Sequence, residues 1–398
     1  MAATILLVGT LDTKGDEYAF VRELIAARGH VPLLMDVGVA GEAGCAADFS
    51  AAEVAEAGGS TLARLRAEGD RNAALKVMTR GAVALAGNSA STIGGVLALG
   101  GSGGTAVGTA VMRNLPVGLP KVMLSTLTSG DVGPYVGESD IAMMYSVVDI
   151  AGLNRISRPI IANAVGAVCG MAEQAVPKVQ DKPLIAATMF GVTTPCVTRL
   201  RTRLQNAGFE VVVFHATGSG GRAMEKLIRS GFFAGVADVT TTEWCDEVVG
   251  GVLSAGSDRL TAAAESSVPQ VVSCGALDMV NFWAVGTVPE HFQARRFHAH
   301  NANVTLMRTS PNECARIGKA IAQRLSRARA PVTLVLPLGG VSAIDAPGQP
   351  FFAPEANTAL FDALRAHAGP NVNLVALDLH INDNAFADAL ASHLIELL

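Results

Sequence analysis

Val96-Leu97-Ala98-Leu99-Gly100-Gly101-Ser102-Gly103-Gly104-Thr105 is the stretch that decides the fold of this 398-residue chain. It begins as a short apolar run, ends in a glycine-rich turn, and is followed by residues with helical character. A strand, a glycine loop and a helix in this order form an anion cradle, because glycines let backbone N–H groups converge and a helix N-terminus carries partial positive charge. The stretch therefore predicts a phosphate site in an α/β domain. Its candidate binding residues are Gly100, Gly101, Ser102, Gly103, Gly104 and Thr105.

Three known motifs compete for this loop. Residues 101–106 fit the dinucleotide pattern G-x-G-x-x-A, but the next acidic residue is Asp131, beyond the usual spacing of about 20 positions. A Walker-type loop needs a lysine where Gly104 stands. Residues 100–104 fit the nucleophile elbow G-x-S-x-G of α/β-hydrolases, with Ser102 as the nucleophile. A purely structural turn is the remaining interpretation.

The composition limits the class of protein. Half of the residues (50%) are hydrophobic, only 16% are charged, and the formal net charge is −5. At this length two domains are expected, and so little charge is typical of a chain that buries surface in an oligomer. The chain has no basic block with interleaved aromatic residues, so nucleic-acid binding is disfavoured.

The cysteines and the N-terminus indicate a compartment. The six cysteines are widely spaced and form no C-x-x-C pair, which is typical of reduced thiols in a cytosolic protein. The chain begins directly with an apolar strand pattern and shows no charged leader. Its longest apolar helical segment, residues 159–171, is too short to span a bilayer. We therefore expect a cytoplasmic protein that makes no membrane contact.

A β-α-β pattern opens the chain. Residues 4–9 and 31–35 predict strands on either side of a helix that stops at Gly29, which implies a parallel sheet. Side chains at the carboxyl edge of such a sheet bind ligands in open α/β proteins. The candidate cofactor-binding residues here are Thr10, Asp12, Thr13, Lys14 and Asp36. Asp12 would hold magnesium and Lys14 a phosphate; a helix cap with a solvated lysine is the alternative.

A polar loop follows the strand predicted over residues 121–124. It contains Ser125, Ser129 and Asp131. Hydroxyl groups at a sheet edge bind phosphate or ribose oxygens, and a carboxylate there binds a metal ion. We expect both serines to contact the cofactor and Asp131 to serve as a metal ligand or catalytic group. A serine- and threonine-rich turn capped by aspartate is the alternative.

The second half of the chain repeats the architecture of the first. Residues 176–183 contain two prolines and three charges, which indicates a linker between domains of residues 1–180 and 181–398. A strand, a helix that ends at Gly208 and another strand then follow in the same order. We predict an α/β fold with two Rossmann-like domains, mostly parallel sheets, and a ligand cleft at the carboxyl ends of the strands.

The second half also carries candidate site residues. Residues 215–222 form a second strand–glycine loop–helix unit, and two histidines two positions apart in residues 295–301 share one face of an extended chain. A metal site, ligand contacts without metal and a structural role all remain open for that histidine pair. For the glycine unit, an ordinary turn with an exposed arginine is the alternative. The candidate substrate-binding residues are Gly191, Gly218, Ser219, Gly220, Arg222, Arg295 and Asn301, and the candidate catalytic residues are His300, His380 and Asp383.

Over nearly its whole length the chain resembles the Tm-one-like ATP-binding domain family. The resemblance rests on residues 9–15, 100–105, 129–137, 143–154, 300–301, 305–309 and 380–383. It implies two Rossmann-like domains, ATP with magnesium as cofactors, and a homodimer. Many bacterial members of this family have no assigned function.

Three functional hypotheses follow. The leading one is an ATP-dependent enzyme with the triphosphate on residues 100–105 and Lys14, magnesium on Asp12 or Asp131, and a small acid or sugar-like substrate in an interdomain cleft. The second is a serine hydrolase, because Ser102, an acid and His380 follow the α/β-hydrolase order. The third is a non-catalytic binding module gated by nucleotide.

Overall fold

A computed structural model of the chain describes residues 2–177, 179 and 181–398. The chain divides into unit 1, Met1–Lys178, and unit 2, Val179–Leu398. Two residues of the predicted linker, Lys178 and Gln180, lie outside the described residues, so the predicted boundary at residue 180 does too.

Unit 1 is built on five parallel strands. They are β1 (Thr4–Gly9), β2 (Val31–Asp36), β3 (Gly95–Gly100), β4 (Lys121–Ser125) and β5 (Ala142–Tyr145). The helices are α1 (Leu11–Ala27), α2 (Ala51–Ala57), α3 (Leu62–Glu68), α4 (Arg71–Asn88), α5 (Ser102–Asn114), α6 (Gly133–Val136) and α7 (Ser157–Glu173). The strands pair in the order β2-β1-β3-β4-β5. This order reverses between β1 and β3, and open α/β sheets bind ligands outside the carboxyl ends of the strands at such a reversal.

Helices cover both faces of the unit 1 sheet because its strands are apolar on both sides. In β1, Leu6 and Val8 pack with α2, α4 and α5, whereas Ile5 and Leu7 pack with α1 and α7. Alternate side chains of a strand point to opposite faces, so a run of apolar residues requires two layers of helices. Gly108 lets α5 approach β3 closely, since a Cβ there would lie 2.6 Å from the Ala98 Cβ.

Unit 2 contains two sheets. Its strands are β6 (Leu184–Met189), β7 (Glu210–His215), β8 (Gly235–Thr240), β9 (Gln270–Gly275), β10 (Met279–Phe282), β11 (Phe297–Asn301), β12 (Val304–Arg308), β13 (Val332–Pro337) and β14 (Val372–Leu377). Its helices are α8 (Thr194–Asn206), α9 (Ser219–Arg229), α10 (Glu243–Val249), α11 (Ala262–Glu265), α12 (Pro311–Leu325), α13 (Pro354–His367) and α14 (Asn384–Leu397). The six-stranded parallel sheet has the order β14-β13-β9-β8-β6-β7, and the three-stranded antiparallel sheet has the order β10-β12-β11.

The two parallel sheets share one topology. In each unit the first strand lies between the second and the third, and later strands extend the sheet beyond the third. The predicted fold class is therefore confirmed: an α/β fold with two mostly parallel sheets, consistent with two Rossmann-like domains. The antiparallel sheet β10-β12-β11 was not predicted from the sequence, because its short strands carry little apolar periodicity.

Two further findings bear on the sequence analysis. Among the described residues, no helix has both the length and the apolar character that a membrane crossing requires. All six cysteine thiols are free, and five of them are buried.

Candidate functional site

A pocket of about 770 Å³ opens in unit 1, between loops that follow β1 and β3, where the strand order reverses. Its polar lining consists of Thr10, Asp12, Thr13, Lys14, Arg66, Asp70, Arg71, Ser102 and Asp149. The remaining lining residues are Val37, Val39, Ala40, Leu65, Gly69, Ala74, Leu75, Met78, Gly101, Gly103 and Gly104. Two loops that the sequence marked as cofactor sites therefore meet at one cavity.

The four glycines of the β3–α5 loop differ in what surrounds them. Gly100 and Gly104 pack on each other, because a Cβ on Gly100 would lie 2.8 Å from the Gly104 Cα. A Cβ on Gly101 or Gly103 would meet no atom closer than 3.7 Å. Packing within the chain thus explains why residues 100 and 104 are glycines, but it does not explain why residues 101 and 103 are. A ligand that approaches the backbone closely would explain it.

The N-terminus of α5 lies at this pocket. The helix begins at Ser102 and is preceded by Gly101, so no side chain caps its first turn. The first N–H groups of an α-helix have no partner within the helix, and together with the helix dipole they attract anions. The arrangement is suited to a phosphate.

Ser102 does not have the geometry of a nucleophile elbow. It is exposed, it is the first helical residue, and it is absent from the non-glycine residues with positive φ. A nucleophile elbow holds its serine on a sharp, strained turn. The single histidine of unit 1, His30, precedes β2 at the opposite edge of the sheet, where it accepts a hydrogen bond from Ala3. Both observations disfavour the hydrolase hypothesis for unit 1.

Asp12 lines the pocket, and its two carboxylate oxygens differ in their partners. Its Oδ2 accepts hydrogen bonds from the N–H groups of Ala40 at 2.8 Å and Gly41 at 3.2 Å. Its Oδ1 is buried and has no partner among the described atoms. A buried carboxylate oxygen without a donor is costly, and a bound cation or a ligand hydroxyl would satisfy it.

Lys14 and the two threonines of the β1–α1 loop form hydrogen bonds within the chain. The Lys14 ammonium donates to the carbonyl of Ile150, and its backbone departs from helical geometry with φ −134° and ψ 28°. The hydroxyls of Thr10 and Thr13 lie 2.8 Å apart. The predicted cofactor contacts of these three residues stay predictions, although all three line the pocket.

Three predicted cofactor residues are instead used to build the loops. Asp36 is 4% exposed, and its Oδ1 accepts from the N–H groups of Leu11 at 3.0 Å and Gly38 at 2.8 Å. Burial raises the pKa of Asp36. The hydroxyls of Thr105 and Ser125 are fully buried and lie 2.7 Å apart. These groups satisfy backbone or side-chain partners, and their predicted cofactor contacts stay predictions.

The polar loop after β4 also lies outside the pocket lining. Ser129 and Asp131 are exposed, and Asp131 Oδ1 accepts from the Gly133 N–H at 2.9 Å at the start of α6. This is the turn-capping arrangement that the sequence left as the alternative. Within the described ranges, no three His, Cys, Asp or Glu residues are grouped to hold a metal ion. A metal or catalytic role for Asp131 stays a prediction.

Sequence reasoning missed four charged residues of the pocket: Arg66, Asp70, Arg71 and Asp149. Arg66 donates to the carbonyls of Val39 at 2.8 Å and Gly41 at 2.6 Å. Arg71 is the first residue of α4, and Asp149 follows β5. The only available signal was weak: Asp149 belongs to segment 143–154 of the family resemblance, and Arg71 follows a helix cap at Asp70.

In unit 2, a carboxylate of the chain itself occupies the second glycine loop. Glu243 is 1% exposed, and its Oε1 accepts from the N–H groups of Gly218 at 2.7 Å and Gly221 at 3.1 Å. Its Oε2 accepts from Arg259 at 2.7 Å. A Cβ on Gly221 would lie 2.2 Å from Glu243 Oε2. The anion that the loop was predicted to attract is therefore supplied from within.

The other predicted substrate residues of this region pack against the chain, form a hydrogen bond within it, or begin a helix. A Cβ on Gly220 would lie 1.9 Å from the carbonyl oxygen of His215, so close packing requires this glycine. Arg222 donates to the Ser254 carbonyl at 3.1 Å. Ser219 begins α9, and Gly191 begins a short 3-10 helix after β6. Substrate binding by Gly191, Gly218, Ser219, Gly220 and Arg222 stays a prediction, and Glu243 stands against it for the glycine loop.

Arg295 is held by an internal partner. Its guanidinium forms a bidentate ion pair with Glu313, at 2.9 and 2.7 Å, and also donates to the Arg308 carbonyl at 2.7 Å. His300 is exposed in β11, and Asn301 Oδ1 accepts from the Asn303 N–H at 2.8 Å in the β11–β12 turn. Arg295 and Asn301 thus have contacts within the chain, and their predicted substrate contacts stay predictions.

Both ring nitrogens of His380 have backbone partners. Nδ1 accepts from the Asn382 N–H at 3.1 Å, so Nε2 carries the proton and donates to the Ser342 carbonyl at 2.9 Å. Asp383 Oδ2 accepts from the His380 N–H at 2.7 Å and precedes α14. These contacts describe a histidine that shapes the turn after β14. The predicted catalytic roles of His300, His380 and Asp383 stay predictions.

Comparison with known proteins assigns the chain to a family. Residues 3–177 match the N-terminal domain, and residues 182–398 the C-terminal domain, of the Uncharacterised protein family (UPF0261). The chain belongs to the UPF0261 family. A UPF0261 protein of Clostridium tetani (strain Massachusetts / E88) is 50% identical over 402 residues and is matched along 100% of both chains.

Two further matches cover a smaller share of this chain and have lower sequence identity. The ToMV resistance protein Tm-1(GCR237) of Solanum lycopersicum is 45% identical over 318 residues, which are 78% of this UPF0261 chain and 42% of the tomato protein. The solved thioesterase domain from the curacin biosynthetic pathway is 13% identical, covers 54% of this chain and 91% of its own, and has a TM-score of 0.27. That score is too low to bear on function.

Proposed function

We propose that unit 1 binds ATP with magnesium in the pocket between the β1 and β3 loops. The observation that carries this proposal is the pair Gly101 and Gly103, which line the pocket at an uncapped helix N-terminus and where an added Cβ would meet no atom of the chain closer than 3.7 Å. Backbone N–H groups of such a turn bind phosphate oxygens, and only glycine leaves the approach open.

The remainder of the pocket suits a nucleoside. Val39, Leu65, Leu75 and Met78 form an apolar part of the lining. Ligand pockets of this kind combine an apolar wall with a few polar groups that fix orientation. A base and ribose would contact the apolar wall while the phosphates reach the glycine loop.

The residues present also fit magnesium. Asp12 Oδ1 is buried without a partner, and carboxylate oxygens together with substrate phosphates are the ligands that Mg²⁺ takes in nucleotide sites. Asp12 would hold the ion, and Asp149 is a second carboxylate in the lining. When bound, magnesium would neutralise charge on the phosphates.

The bound nucleotide would serve either as the substrate of an enzyme or as the ligand that gates a binding module, and experiment distinguishes the two. The fuller proposal is a cytoplasmic, homodimeric enzyme that uses ATP on a small acid or sugar-like substrate. The engagement of Arg295 by Glu313 and of His380 by backbone groups favours the second candidate, a nucleotide-gated binding module. Turnover of ATP with candidate acids and sugars supports the enzyme, whereas ATP binding without turnover supports the module.

The binding proposal is tested by calorimetry of the intact chain with ATP and Mg²⁺. Gly103→Val should abolish binding and leave the melting temperature close to wild type, because the added side chain fills ligand space. Gly166→Val in α7 is the matched control, since a Cβ there meets nothing within 4 Å and the residue lies outside the pocket lining. Unchanged ATP affinity in folded Gly103→Val refutes the proposal.

A further inference from the structure

One positively charged side chain that lines the unit 1 pocket has no hydrogen-bond or ion-pair partner among the described residues. Lys14 donates to the Ile150 carbonyl, and Arg66 donates to the carbonyls of Val39 and Gly41. For Arg71, the described part of the chain provides no hydrogen-bond or ion-pair partner. A guanidinium that lines a cavity without an internal partner is available to an external anion.

Arg71 is placed opposite the glycine loop. Its Nη2 lies 4.0 Å from the position that a Cβ on Gly103 would take. Among the described residues the neighbouring Asp70 forms no ion pair with it; Asp70 Oδ1 accepts instead from the N–H groups of Asn72 at 2.8 Å and Ala73 at 3.0 Å as the cap of α4. The guanidinium and the first turn of α5 therefore border the same small volume.

The chemistry of these two groups selects the ligand. The guanidinium presents parallel N–H donors, which match a phosphate in a bidentate manner, and the helix turn presents backbone N–H groups. A phosphate group has three acceptor oxygens and can accept from both sides at once. A carboxylate has two oxygens, which the guanidinium alone would occupy.

We propose that Arg71 clamps the terminal phosphate of the ligand against Gly103 and the first turn of α5, so that the pocket selects polyphosphates. This inference rests on the proposed nucleotide function but goes beyond it, since it names the residue and the ligand group that set affinity. Lys14 and Asp12 then contact other parts of the same ligand.

Inorganic triphosphate and ATP with Mg²⁺ are the two probes for calorimetry on the full chain. Arg71→Ala should weaken both by ~10–100-fold, the range of a charge-assisted hydrogen-bond pair, with an unchanged melting temperature without ligand. The affinity of Arg71→Lys for both probes should fall between those of Arg71→Ala and wild type, because lysine retains the charge and lacks the two parallel N–H donors of the guanidinium. Lys76→Ala is the control, because it removes an exposed positive charge from the same helix outside the lining, and it should stay within about twofold of wild type.

The results separate this inference from the function on which it rests. ATP affinity that is equal in wild type and Arg71→Ala overturns the clamp and leaves ATP binding in place. Triphosphate binding that depends on Arg71, without any ATP binding, overturns the nucleotide proposal and supports the clamp. Binding of neither probe overturns both, and an equal loss in Lys76→Ala assigns the effect to general charge and overturns the clamp.

Discussion

At the scale of single residues, the carboxyl edge of the unit 1 sheet separates groups that build loops from groups that remain available. Asp36 and Ser125 satisfy partners inside the chain, whereas Asp12 keeps one buried oxygen without a donor. Lys14 stands between these cases, because it lines the pocket and is held by a carbonyl. A ligand phosphate would replace a neutral partner of this ammonium with a charged one.

Lys14→Ala should weaken ATP binding more than AMP binding. A lysine acts as a point charge, and its effect grows with the charge of the phosphate chain that it approaches. We expect ~10-fold for ATP, which corresponds to about 1.4 kcal/mol, and under threefold for AMP. Calorimetry with both nucleotides measures the difference, and equal losses would place Lys14 away from the terminal phosphates.

Asp246 in α10 makes stability depend on pH. Burial raises the pKa of its carboxyl to about 7, and the unfolded value is about 3.9. Because the folded state binds the proton more tightly, this contribution to the free energy of unfolding is complete below about pH 4 and is lost as the pH rises through 7.

Asp246→Asn should therefore flatten the decline of the melting temperature between pH 5 and about 7.5. Asp258→Asn, at an exposed position, is the control and should retain the wild-type slope. Melting curves recorded by circular dichroism across this range provide the measurement. A slope in Asp246→Asn identical to that of wild type would show that the carboxyl titrates elsewhere.

At the scale of elements, two helices that both follow glycine loops differ in how their first turns are satisfied. Helix α5 is preceded by Gly101 and borders the pocket. Helix α9 receives the Glu243 carboxylate, which reaches it from the end of β8 and is paired with Arg259. One glycine loop is therefore open to an external anion, and the other contains an internal one.

Glu243→Ala should destabilise unit 2 by about 3–5 kcal/mol, because it leaves Arg259 short of a buried partner and uncaps α9. Inorganic phosphate should then raise the melting temperature of Glu243→Ala more than that of wild type, since the vacated loop accepts an anion in addition to any bound in unit 1. Glu265→Ala, whose side chain is 59% exposed, is the control. Equal phosphate responses in wild type and Glu243→Ala would contradict the internal-anion interpretation.

Sequence patterns predicted the elements well and their side-chain partners poorly. A short apolar run located β3, and strand β1 was predicted with its observed bounds Thr4–Gly9, because these depend on local sequence. The capture of the 218–221 loop by Glu243 depends on tertiary structure, because β7 and β8 lie on either side of β6 and the segments that follow them meet through this carboxylate. No local signal marks it, so a self-satisfied turn and a ligand cradle look alike in sequence.

At the scale of the whole molecule, one sheet topology occurs twice with different outcomes at the edge. Unit 1 has a pocket of about 770 Å³ where its strand order reverses, and unit 2 has the Glu243–Arg259 pair near its own reversal. Duplicated architecture with one site filled is a way to confine ligand binding to one unit.

The most direct test is a crystal structure of the intact chain grown with a non-hydrolysable ATP analogue and Mg²⁺. We predict phosphate density in unit 1 within hydrogen-bonding distance of the N–H groups of Ser102, Gly103 and Gly104, with Arg71 in contact and the magnesium on Asp12. The 215–221 loop of unit 2 should hold Glu243 and no nucleotide. An empty unit 1 pocket at saturating nucleotide, or a nucleotide bound at another surface, would contradict the central claim.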